Sequence, residues 1–370
     1  MNPQNSESIM ALRQLFILSI VLAIHFDVRP PALAAPFVPA RDAQCVAFSP
    51  DGKLIATGIS GMSNEEFPPR PHPSPRKCGV VQIYDVESGK RLRRVETFGD
   101  LTRLRFSPDG KYVAFARVFS TADRLALNTV GVIDIGSGKL THQFDRCHNF
   151  DFSKDGKTIA VLSQTKCVLF AMDTWERGRE IAGLANALNV RYAPSGHWIA
   201  GVVPVGDRFR IRMCRMSDES IFTETMELDE PFYSFTFSPD GTLIASGHNA
   251  GNVLIWQTST MKPITRLNAG NKAHQQPFFT PDGEVLGVGS QDNGDTVFWH
   301  VGTRKELRRY TFQQGTFRTY YRRDAGELVR PEVNPERFVF SPEGSAFLAG
   351  CYGGMIRMLS DGRDVRRFGE

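Results

Sequence analysis

Hydrophobic residues recur along the chain in short segments on either side of a tight turn. The turn reads Ser-Pro-Asp-Gly or a close variant, and its glycines are Gly52, Gly110, Gly156, Gly196, Gly241, Gly283 and Gly344. An aromatic residue stands four positions before each of these glycines, and a large apolar residue stands three positions after it. Proline presets the backbone for such a turn and glycine takes its positive-φ position, so each unit predicts a β-hairpin.

A third apolar segment and a short fourth one follow these hairpins. Residues 81–85 lead into the polar turn at Gly89, and residues 131–134 lead into the turn at Gly138. Four short strands in units of about 40 to 60 residues are typical of propeller blades. The repeats therefore predict an all-β fold, a seven-bladed β-propeller of four-stranded antiparallel blades, in which neighbouring sheets bury one another's faces.

From about residue 43 to residue 370 the chain resembles the WD40-repeat family. The resemblance rests on the Ser-Pro-Asp-Gly turns, on the number of units, and on strand ends such as Tyr84-Asp85 and Trp256-Gln257. Residues 104–111 also look like the repeats of periplasmic TolB-type propellers. The resemblance implies a bacterial, exported propeller of the WD40 type. In many WD40 proteins an N-terminal strand completes the last blade, but here residues 364–368 already supply a fourth strand, so we expect blade 7 to be built wholly from the C-terminus.

The chain departs from the WD40 pattern at the family's His–Ser–Asp–Trp hydrogen-bond set. Ser246 and Trp256 occupy two of those positions, but Ala250 stands where the Asp would be. No unit has Gly-His ahead of its first strand. We therefore expect packing, rather than this set of bonds, to hold the blades.

The first 34 residues follow a different pattern from the repeats. Arg13 precedes an apolar run over residues 15–26, and Ala32-Leu33-Ala34 follows a polar stretch. This order is typical of a secretory signal peptide, and a run of twelve residues is shorter than the roughly 20 that a membrane-spanning helix needs. We expect residues 1–34 to be the signal, residues 35–370 to form the propeller, and the protein to be exported, to the periplasm or outside the cell.

Three insertions interrupt the repeats. Residues 61–78 and residues 119–129 separate the second and third strands of blades 1 and 2, and residues 313–335 join blade 6 to blade 7. In an antiparallel blade these connections emerge on the face opposite the Ser-Pro-Asp-Gly turns, so we expect one loop-rich face over neighbouring blades. The candidate partner-binding residues there are Glu65, Glu66, Arg70, His72, Arg76, Arg318, Tyr320, Tyr321, Arg322 and Arg323. Tyrosine and arginine are favoured at binding hot spots, although insertions also accumulate in exposed loops because they cost little there.

An apolar-Arg-Arg-apolar pattern marks the outer strands of blades 1, 6 and 7. Its arginines are Arg93, Arg94, Arg308, Arg309, Arg366 and Arg367. They predict a basic stripe suited to an anionic surface. Charged side chains on exposed edge strands also prevent edge-to-edge aggregation, and that interpretation is the stronger one.

Six cysteines are present without regular spacing. Cys147 and Cys167 are the best-placed pair for a disulfide, since both open strands at one end of the same blade. An intervening strand would hold them about 9–10 Å apart, which exceeds the usual Cα limit of about 7 Å.

Composition and motifs add mainly exclusions. The net charge of +4 is too small to indicate nucleic acid, and the chain has no CxxC, HExxH, GxSxG, CxxCH or Walker A motif. We therefore expect a non-catalytic binding module that mediates protein–protein interactions outside the cytoplasm, without metal or cofactor. The alternatives are a propeller enzyme of hydrolase, lactonase or redox type with a central-channel site, and a TolB-like envelope-associated protein.

Overall fold

The chain divides into two compact units, Met1–Pro39 and Ala40–Glu370. The computed structural model describes residues 43–62, 78–118, 128–218, 220–228, 232–248, 251–270, 275–290, 295–310, 338–344, 347–350, 356–360 and 363–368. The expected signal peptide lies outside these residues, so it stays a prediction.

The described strands form seven sheets, each with four strands paired in chain order. Blades 1 to 4 comprise β1 (Ala43–Phe48), β2 (Leu54–Met62), β3 (Cys78–Asp85), β4 (Arg91–Phe98); β5 (Asp100–Phe106), β6 (Tyr112–Val118), β7 (Thr129–Asp134), β8 (Lys139–Asp145); β9 (Cys147–Phe152), β10 (Thr158–Ser163), β11 (Cys167–Ala171), β12 (Arg177–Glu180); and β13 (Asn189–Tyr192), β14 (Trp198–Val205), β15 (Arg208–Arg215), β16 (Ile221–Glu224). A 3-10 turn, Ala182–Leu184, precedes β13.

The remaining strands continue the same arrangement. They are β17 (Phe232–Phe237), β18 (Leu243–His248), β19 (Asn252–Gln257), β20 (Lys262–Asn268); β21 (Gln275–Phe279), β22 (Val285–Ser290), β23 (Thr296–His300), β24 (Glu306–Tyr310); and β25 (Phe338–Phe340), β26 (Phe347–Gly350), β27 (Ile356–Ser360), β28 (Arg363–Phe368). All pairings within the sheets are antiparallel.

The repeated turn joins the first two strands of each sheet, as the sequence predicts. All seven of its glycines have positive φ, between 69° and 75°. In blade 1 the Ser49 hydroxyl donates to Asp51 Oδ1 at 2.6 Å and accepts the amide of Leu54 at 2.8 Å. The bond from Ser49 also holds the pKa of Asp51 below its ordinary value. The same pair of bonds recurs in blades 2, 3, 5 and 6.

These turns lie beside one another around one face of the propeller. A Cβ placed on Gly52 would lie 3.5 Å from Pro342, which brings the turn of blade 1 against that of blade 7. Equivalent proline contacts join blades 2 and 3, 4 and 5, 5 and 6, and 6 and 7. Strand β1 also contacts β25 and β26, so the sheets close into a ring.

The hydrophobic core is divided among the spaces between neighbouring sheets. Between blades 1 and 2, for example, Ile83 and Leu101 pack with Phe115, and none of the three is more than 1% exposed. Comparable clusters fill the spaces between the next blades and between blades 7 and 1. Each sheet is therefore stabilised by its neighbours rather than by a core of its own.

The prediction of an all-β propeller with four-stranded antiparallel blades is confirmed, but the prediction of seven equivalent blades needs correction. Packing across the whole sheet is described for six blades, β1 to β24. The last sheet, β25 to β28, is described by its strand pairing and by side chains near its inner strand, such as Phe338 and Leu348. Strand β28 ends this sheet, which confirms that C-terminal strands complete the last blade.

Candidate functional site

The ten predicted partner-binding residues lie outside the described residues, in segments 63–77 and 311–337. The strand ends that bracket the insertions are described. Met62 pairs with Cys78 at the end of blade 1 farthest from its turn, and Arg117 pairs with Thr129 at the same end of blade 2. Strands β24 and β25 bracket the third insertion at this end too. The three insertions therefore attach to one face, as predicted, whereas the arrangement of the ten residues stays a prediction.

Three arginines of the predicted basic stripe, Arg93, Arg94 and Arg309, are engaged in bonds within the propeller. Arg93 of blade 1 donates to Ile135 O at 3.2 Å and to Gly136 O at 2.8 Å, both in blade 2. Arg309 of blade 6 donates to Ala269 O at 2.6 Å and pairs with a carboxylate of its own strand, that of Glu306, at 2.8 Å.

The other arginines of the stripe differ among themselves. Arg94 pairs with Glu96 at 2.5 Å, and Arg308 is exposed. The side chains of Arg366 and Arg367 lie outside those the structure describes.

The Arg93 contact is repeated elsewhere on the rim. Arg179 of blade 3 donates to Met216 O of blade 4. Ile135 and Met216 are the first residues after the third strand of their blades, so the two arginines make the same type of contact with the next blade. These arginine–carbonyl contacts are structural, since each bonds one blade to the next. In the sequence, an arginine on the outer strand of a blade indicates such a contact.

The first strands of the blades line a central channel, and its wall around blades 2 to 4 is polar. We call Arg103 and Arg105 of β5 with Asn149 and Asp151 of β9 the polar arc. Arg103, Asn149 and Asp151 are each less than 5% exposed. Burying these groups requires partners for them, and the arc supplies those partners.

Asp151 is the centre of the polar arc. Its carboxylate lies 3.6 Å from Arg103 Nη2 and 3.3 Å from Arg105 Nη1, and it accepts the backbone N–H of Tyr192 at 2.9 Å. The side chains of Asp151 and Arg103 are only 6% and 3% exposed, whereas that of Arg105 is 36% exposed and reaches the channel. This carboxylate thus joins the inner strands of three successive blades.

Asn149, two residues before Asp151 on β9, connects the same three blades. Its Oδ1 accepts Arg103 Nη1 at 2.7 Å and the backbone N–H of Val190 at 3.3 Å. Because residues 149 and 151 both reach β13, the first strands of blades 3 and 4 are bridged twice by side chains.

Aromatic side chains pack between blades 6 and 7, and three of them, Phe278, Phe338 and Phe340, also line the channel. We call Phe278, Phe298, Phe338 and Phe340 the aromatic arc. The rings of Phe278 and Phe338 are stacked with centroids 5.9 Å apart, and those of Phe278 and Phe340 are 5.0 Å apart. A Cβ on Gly289 of β22 would lie 2.3 Å from the Phe338 ring, so only glycine permits this approach.

On the turn face the channel widens into a cavity of about 300 Å³. Its charged lining residues are Arg105 and Arg191, on blades 2 and 4, and its lining includes no carboxylate. The apolar part of the lining includes Phe48, Phe106, Phe237, Phe278, Phe279, Phe338 and Phe340. Prolines of three turns, Pro239, Pro281 and Pro342, also contribute to its lining.

Blade 5 contains a buried hydrogen-bond chain that the sequence analysis found only in part. Trp256 Nε1 donates to Ser246 Oγ at 2.8 Å, and Ser246 Oγ lies 2.8 Å from His248 Nε2. The histidine comes from the same strand as the serine, two residues along, rather than from the position that the family pattern indicates. Burial lowers the pKa of His248 to about 4, so the ring is neutral at pH 7.

The described residues offer little reactive chemistry. No group of three or more His, Cys, Asp or Glu is placed to hold a metal ion in the part of the chain that the structure describes. Cys147 and Cys167, the best-placed pair in the sequence, are both free thiols. Burial raises the pKa of Cys147 to about 11 and that of Cys167 to about 12, so neither is a thiolate nucleophile at neutral pH.

The family described as WD domain, G-beta repeat (WD40) matches residues 41–64 and 224–257. The chain is a β-propeller in which two segments match the WD40 repeat. The matched segments cover the first hairpin of blade 1 and the first three strands of blade 5, including the bonded Ser246 and Trp256.

Similar proteins support the same fold. The chain is 30% identical over 84 residues to echinoderm microtubule-associated protein-like 1 of Mus musculus and of Homo sapiens, a match that covers 23% of this chain. It is 32% identical over 69 residues to echinoderm microtubule-associated protein-like 3 of Mus musculus, covering 19% of this chain. The chain spans only about a tenth of the length of these curated relatives, 10% and 8% respectively. Among the described residues, no helix has the length and apolar character needed to cross a membrane.

Proposed function

We propose that this WD40 propeller is a non-catalytic binding module that holds a protein partner on its loop-rich face. The observation that carries the proposal is the position of the strand ends around the three insertions, on one face of the neighbouring blades 7, 1 and 2. Loops presented by a rigid scaffold commonly carry recognition. The relatives are named for association with microtubules, which supports a protein as the class of partner.

The chemistry of the channel supports binding rather than catalysis. Asp151 is engaged by two arginines and by a backbone amide, so it is poorly placed to act as a general base. The lining of the turn-face cavity otherwise consists of arginines, an amide, hydroxyls and apolar side chains. Such a wall resembles a binding surface more than an acid–base site.

The central experiment removes the longest insertion. We expect replacement of residues 313–335 by a short Gly-Ser linker to abolish partner capture by the tagged protein from its native envelope fraction. A second variant replaces Tyr320, Tyr321, Arg322 and Arg323 with alanine and is expected to weaken capture at least about tenfold, since such residues dominate hot spots.

The matched control changes the opposite face. Lys154→Ala with Lys157→Ala alters two exposed lysines at the turn of blade 3 and is expected to leave capture unchanged. Thermal melting of every variant checks that the ring stays folded. Unchanged capture by the folded deletion variant would refute a loop-face function.

We also propose that the protein is exported and that cleavage follows Ala34. The support is the order of Arg13, the apolar run over residues 15–26 and the small residues that end at Ala34. Intact-mass analysis of the protein from cell fractions is expected to show a chain that begins at Ala35, in the periplasm or the medium. Leu22→Arg should retain an uncleaved precursor in the cytoplasm, and Gln4→Arg is its control. A wild-type cytoplasmic protein with residues 1–34 intact contradicts export.

A further inference from the structure

The face of the propeller that carries the hairpin turns, the turn face, has a charge pattern that differs from blade to blade. In each blade the hairpin turn lies nearer the channel, and the turn between the third and fourth strands lies nearer the rim. A backbone hydrogen bond joins the two turns: Met172 donates to Lys157 O in blade 3 and Val301 donates to Glu284 O in blade 6, both at 2.8 Å. Each blade therefore presents an inner and an outer turn side by side.

Blades 3 and 5 carry opposite charges on both turns. The residues that set these charges, all of them exposed, are Lys154, Lys157, Asp173 and Glu176 in blade 3, and Asp240 and Lys262 in blade 5. The inner turn is thus basic in blade 3 and acidic in blade 5, whereas the outer turn is acidic in blade 3 and basic in blade 5. Asp155 and Arg177 reduce the charges of the blade 3 turns without changing their sign. In the part of the chain that the structure describes, none of the six residues that set the charges takes part in an ion pair.

Blades 2 and 6 differ in the same sense on the inner turn. Blade 6 presents Asp282 and Glu284 there and no lysine, whereas blade 2 presents Lys111, whose side chain is 73% exposed and lies 3.7 Å from that of Asp109. The outer turn of blade 6 carries two cations, and that of blade 2 has one carboxylate and one lysine and is neutral. The inner turns therefore decide how well these two blades match.

Blade 4, between these pairs, has an inner turn without charge, residues 193–196. A two-fold axis that lies in the plane of the turn face, crosses the channel and runs through blade 4 places blade 4 of one copy on blade 4 of a second, blade 3 on blade 5, and blade 2 on blade 6. Each turn keeps its distance from the channel under this rotation. Basic turns then meet acidic turns at both positions of blades 3 and 5, and Lys111 meets Glu284. Every such contact occurs twice in a two-fold interface.

Blade 4 also has exposed apolar surface at the turn end of its rim. Ile221 and Phe222 are 50% and 41% exposed, and the Phe222 ring packs on that of Trp198 with centroids 4.1 Å apart. Trp198 begins β14, two residues after the uncharged turn. Because the two-fold axis runs through blade 4, this patch meets its own copy. Exposed ion pairs contribute little individually, so burial of the patch adds stabilisation that the charges alone do not supply.

We propose that two copies of this chain associate through their turn faces, about a two-fold axis through blade 4, and form a salt-sensitive dimer. A second copy fits this face because the acidic and basic turns complement each other under that rotation. The turns are also pre-organised, since hydroxyl–carboxylate bonds and positive-φ glycines fix them before association. The loop face stays on the outside, so the dimer goes beyond the proposed partner-binding function and carries two loop faces.

Sedimentation equilibrium of the purified protein measures the association. We expect a concentration-dependent dimer at about 0.1 M salt and a dissociation constant at least about tenfold higher at about 1 M salt, since the Debye length falls from about 10 Å to about 3 Å. A monomer at every concentration in the lower salt would overturn the proposal, as would a dimer whose dissociation constant does not respond to salt.

Charge reversal then tests the arrangement. Lys111→Glu and Glu284→Lys each place like charges opposite one another and are expected to weaken association at least about tenfold. The double variant restores opposite charges, and so does an equimolar mixture of the two single variants, so both are expected to recover most of the lost affinity. Blades 2 and 6 are not neighbours within one ring, so recovery requires contact between two molecules. Single reversals without effect, or no recovery in either case, would overturn the two-fold arrangement.

Two further variants locate the axis and control for charge. Phe222→Ala is expected to weaken association about tenfold, and an unchanged dissociation constant would contradict an axis through blade 4. Lys166→Glu makes the same change of charge on the loop face, between β10 and β11, and is expected to leave association unchanged. Thermal melting checks that each variant is folded. Partner capture is measured on the loop face, so failure of that proposal and failure of the dimer are distinguishable.

Discussion

The polar arc and the aromatic arc join neighbouring blades by opposite means. In the polar arc, Asp151 and Asn149 cross from blade 3 to the backbone of blade 4 and to the arginines of blade 2. In the aromatic arc, stacked rings such as Phe278 and Phe338 cross from blade 6 to blade 7, with a hydrogen bond from Gln276 Nε2 to Phe338 O beside them.

The difference shows that one repeat geometry accepts two kinds of joint. Each first strand presents residues to its neighbouring blades, and those residues must bury well together. Aromatic rings do so through their area and orientation, whereas the polar arc does so only if every buried charge finds a partner. We therefore expect the aromatic joint to tolerate substitutions that keep its buried area. We expect the polar joint to depend on its complete set of partners.

The largest expected effect is on the aromatic arc. Phe338→Ala removes a ring that is 3% exposed and stacked on Phe278. We expect the free energy of unfolding to fall by about 4 kcal/mol, since the cavity adds to the lost burial. Urea denaturation followed by tryptophan fluorescence measures it, with Leu307→Ala, which is 54% exposed, as the control. A loss below about 1 kcal/mol would mean that the stack contributes little.

In the polar arc, Asp151→Ala leaves Arg103 buried without its carboxylate. We expect a loss of about 3 kcal/mol in the free energy of unfolding, because a stranded buried charge is costly. Asp173→Ala, an exposed aspartate of blade 3, is the control and should change stability by less than about 0.5 kcal/mol.

A second substitution tests the cause of that loss. Adding Arg103→Met to Asp151→Ala removes the stranded charge, so we expect part of the stability to return, measured by the same urea denaturation. If the two losses simply add, the polar arc is not held by charge compensation.

Blade 5 lies between the two arcs, and its buried His248 makes stability depend on pH. The pKa of this ring is about 4 in the folded protein and about 6.5 when unfolded, so protonation favours unfolding. Its stabilising contribution is complete above pH 6.5 and is lost as the pH falls toward 4, which amounts to about 2 kcal/mol between pH 7 and pH 5. Urea denaturation across this range measures it, and His248→Gln should flatten the dependence by that amount. An unchanged slope in the variant would show that His248 is not the responsible group.

The smallest expected effect is at the rim, which lies outside both arcs. Arg93→Ala removes the bonds to Ile135 O and Gly136 O and should lower the free energy of unfolding by about 1 kcal/mol. Arg93→Lys keeps the charge but loses the guanidinium fork and should recover only part. Lys90→Ala, an exposed neighbour, is the control in thermal melts. Full recovery with lysine would mean that charge alone matters there.

The sequence predicted the elements well because they depend on local chemistry. The turn at Gly52 combines a proline, a side-chain acceptor and a residue that tolerates positive φ, and all three are visible in four letters. The strands around it follow from apolar positions at fixed offsets. The same offsets correctly predicted that the last sheet consists of C-terminal strands.

The joints between blades were not predictable in this way. Asp151 looks like an ordinary strand residue, and only its distance to residues of β5 and β13 shows that it is a buried bridge. His248 replaced a family position through a bond within its own strand, which no motif search finds. Arg93 and Arg309 appeared to form a basic stripe until their carbonyl acceptors were known.

The sequence by itself therefore determined the repeat, the turns and the four-stranded sheets, because each is fixed by residues within about 40 to 60 positions of one another. Only the tertiary structure decided which blades are joined by charges and which by rings, and where the channel widens into a cavity with arginines on one side. Those features depend on side chains brought together from different blades, and their distances are set by closure of the ring rather than by spacing along the chain.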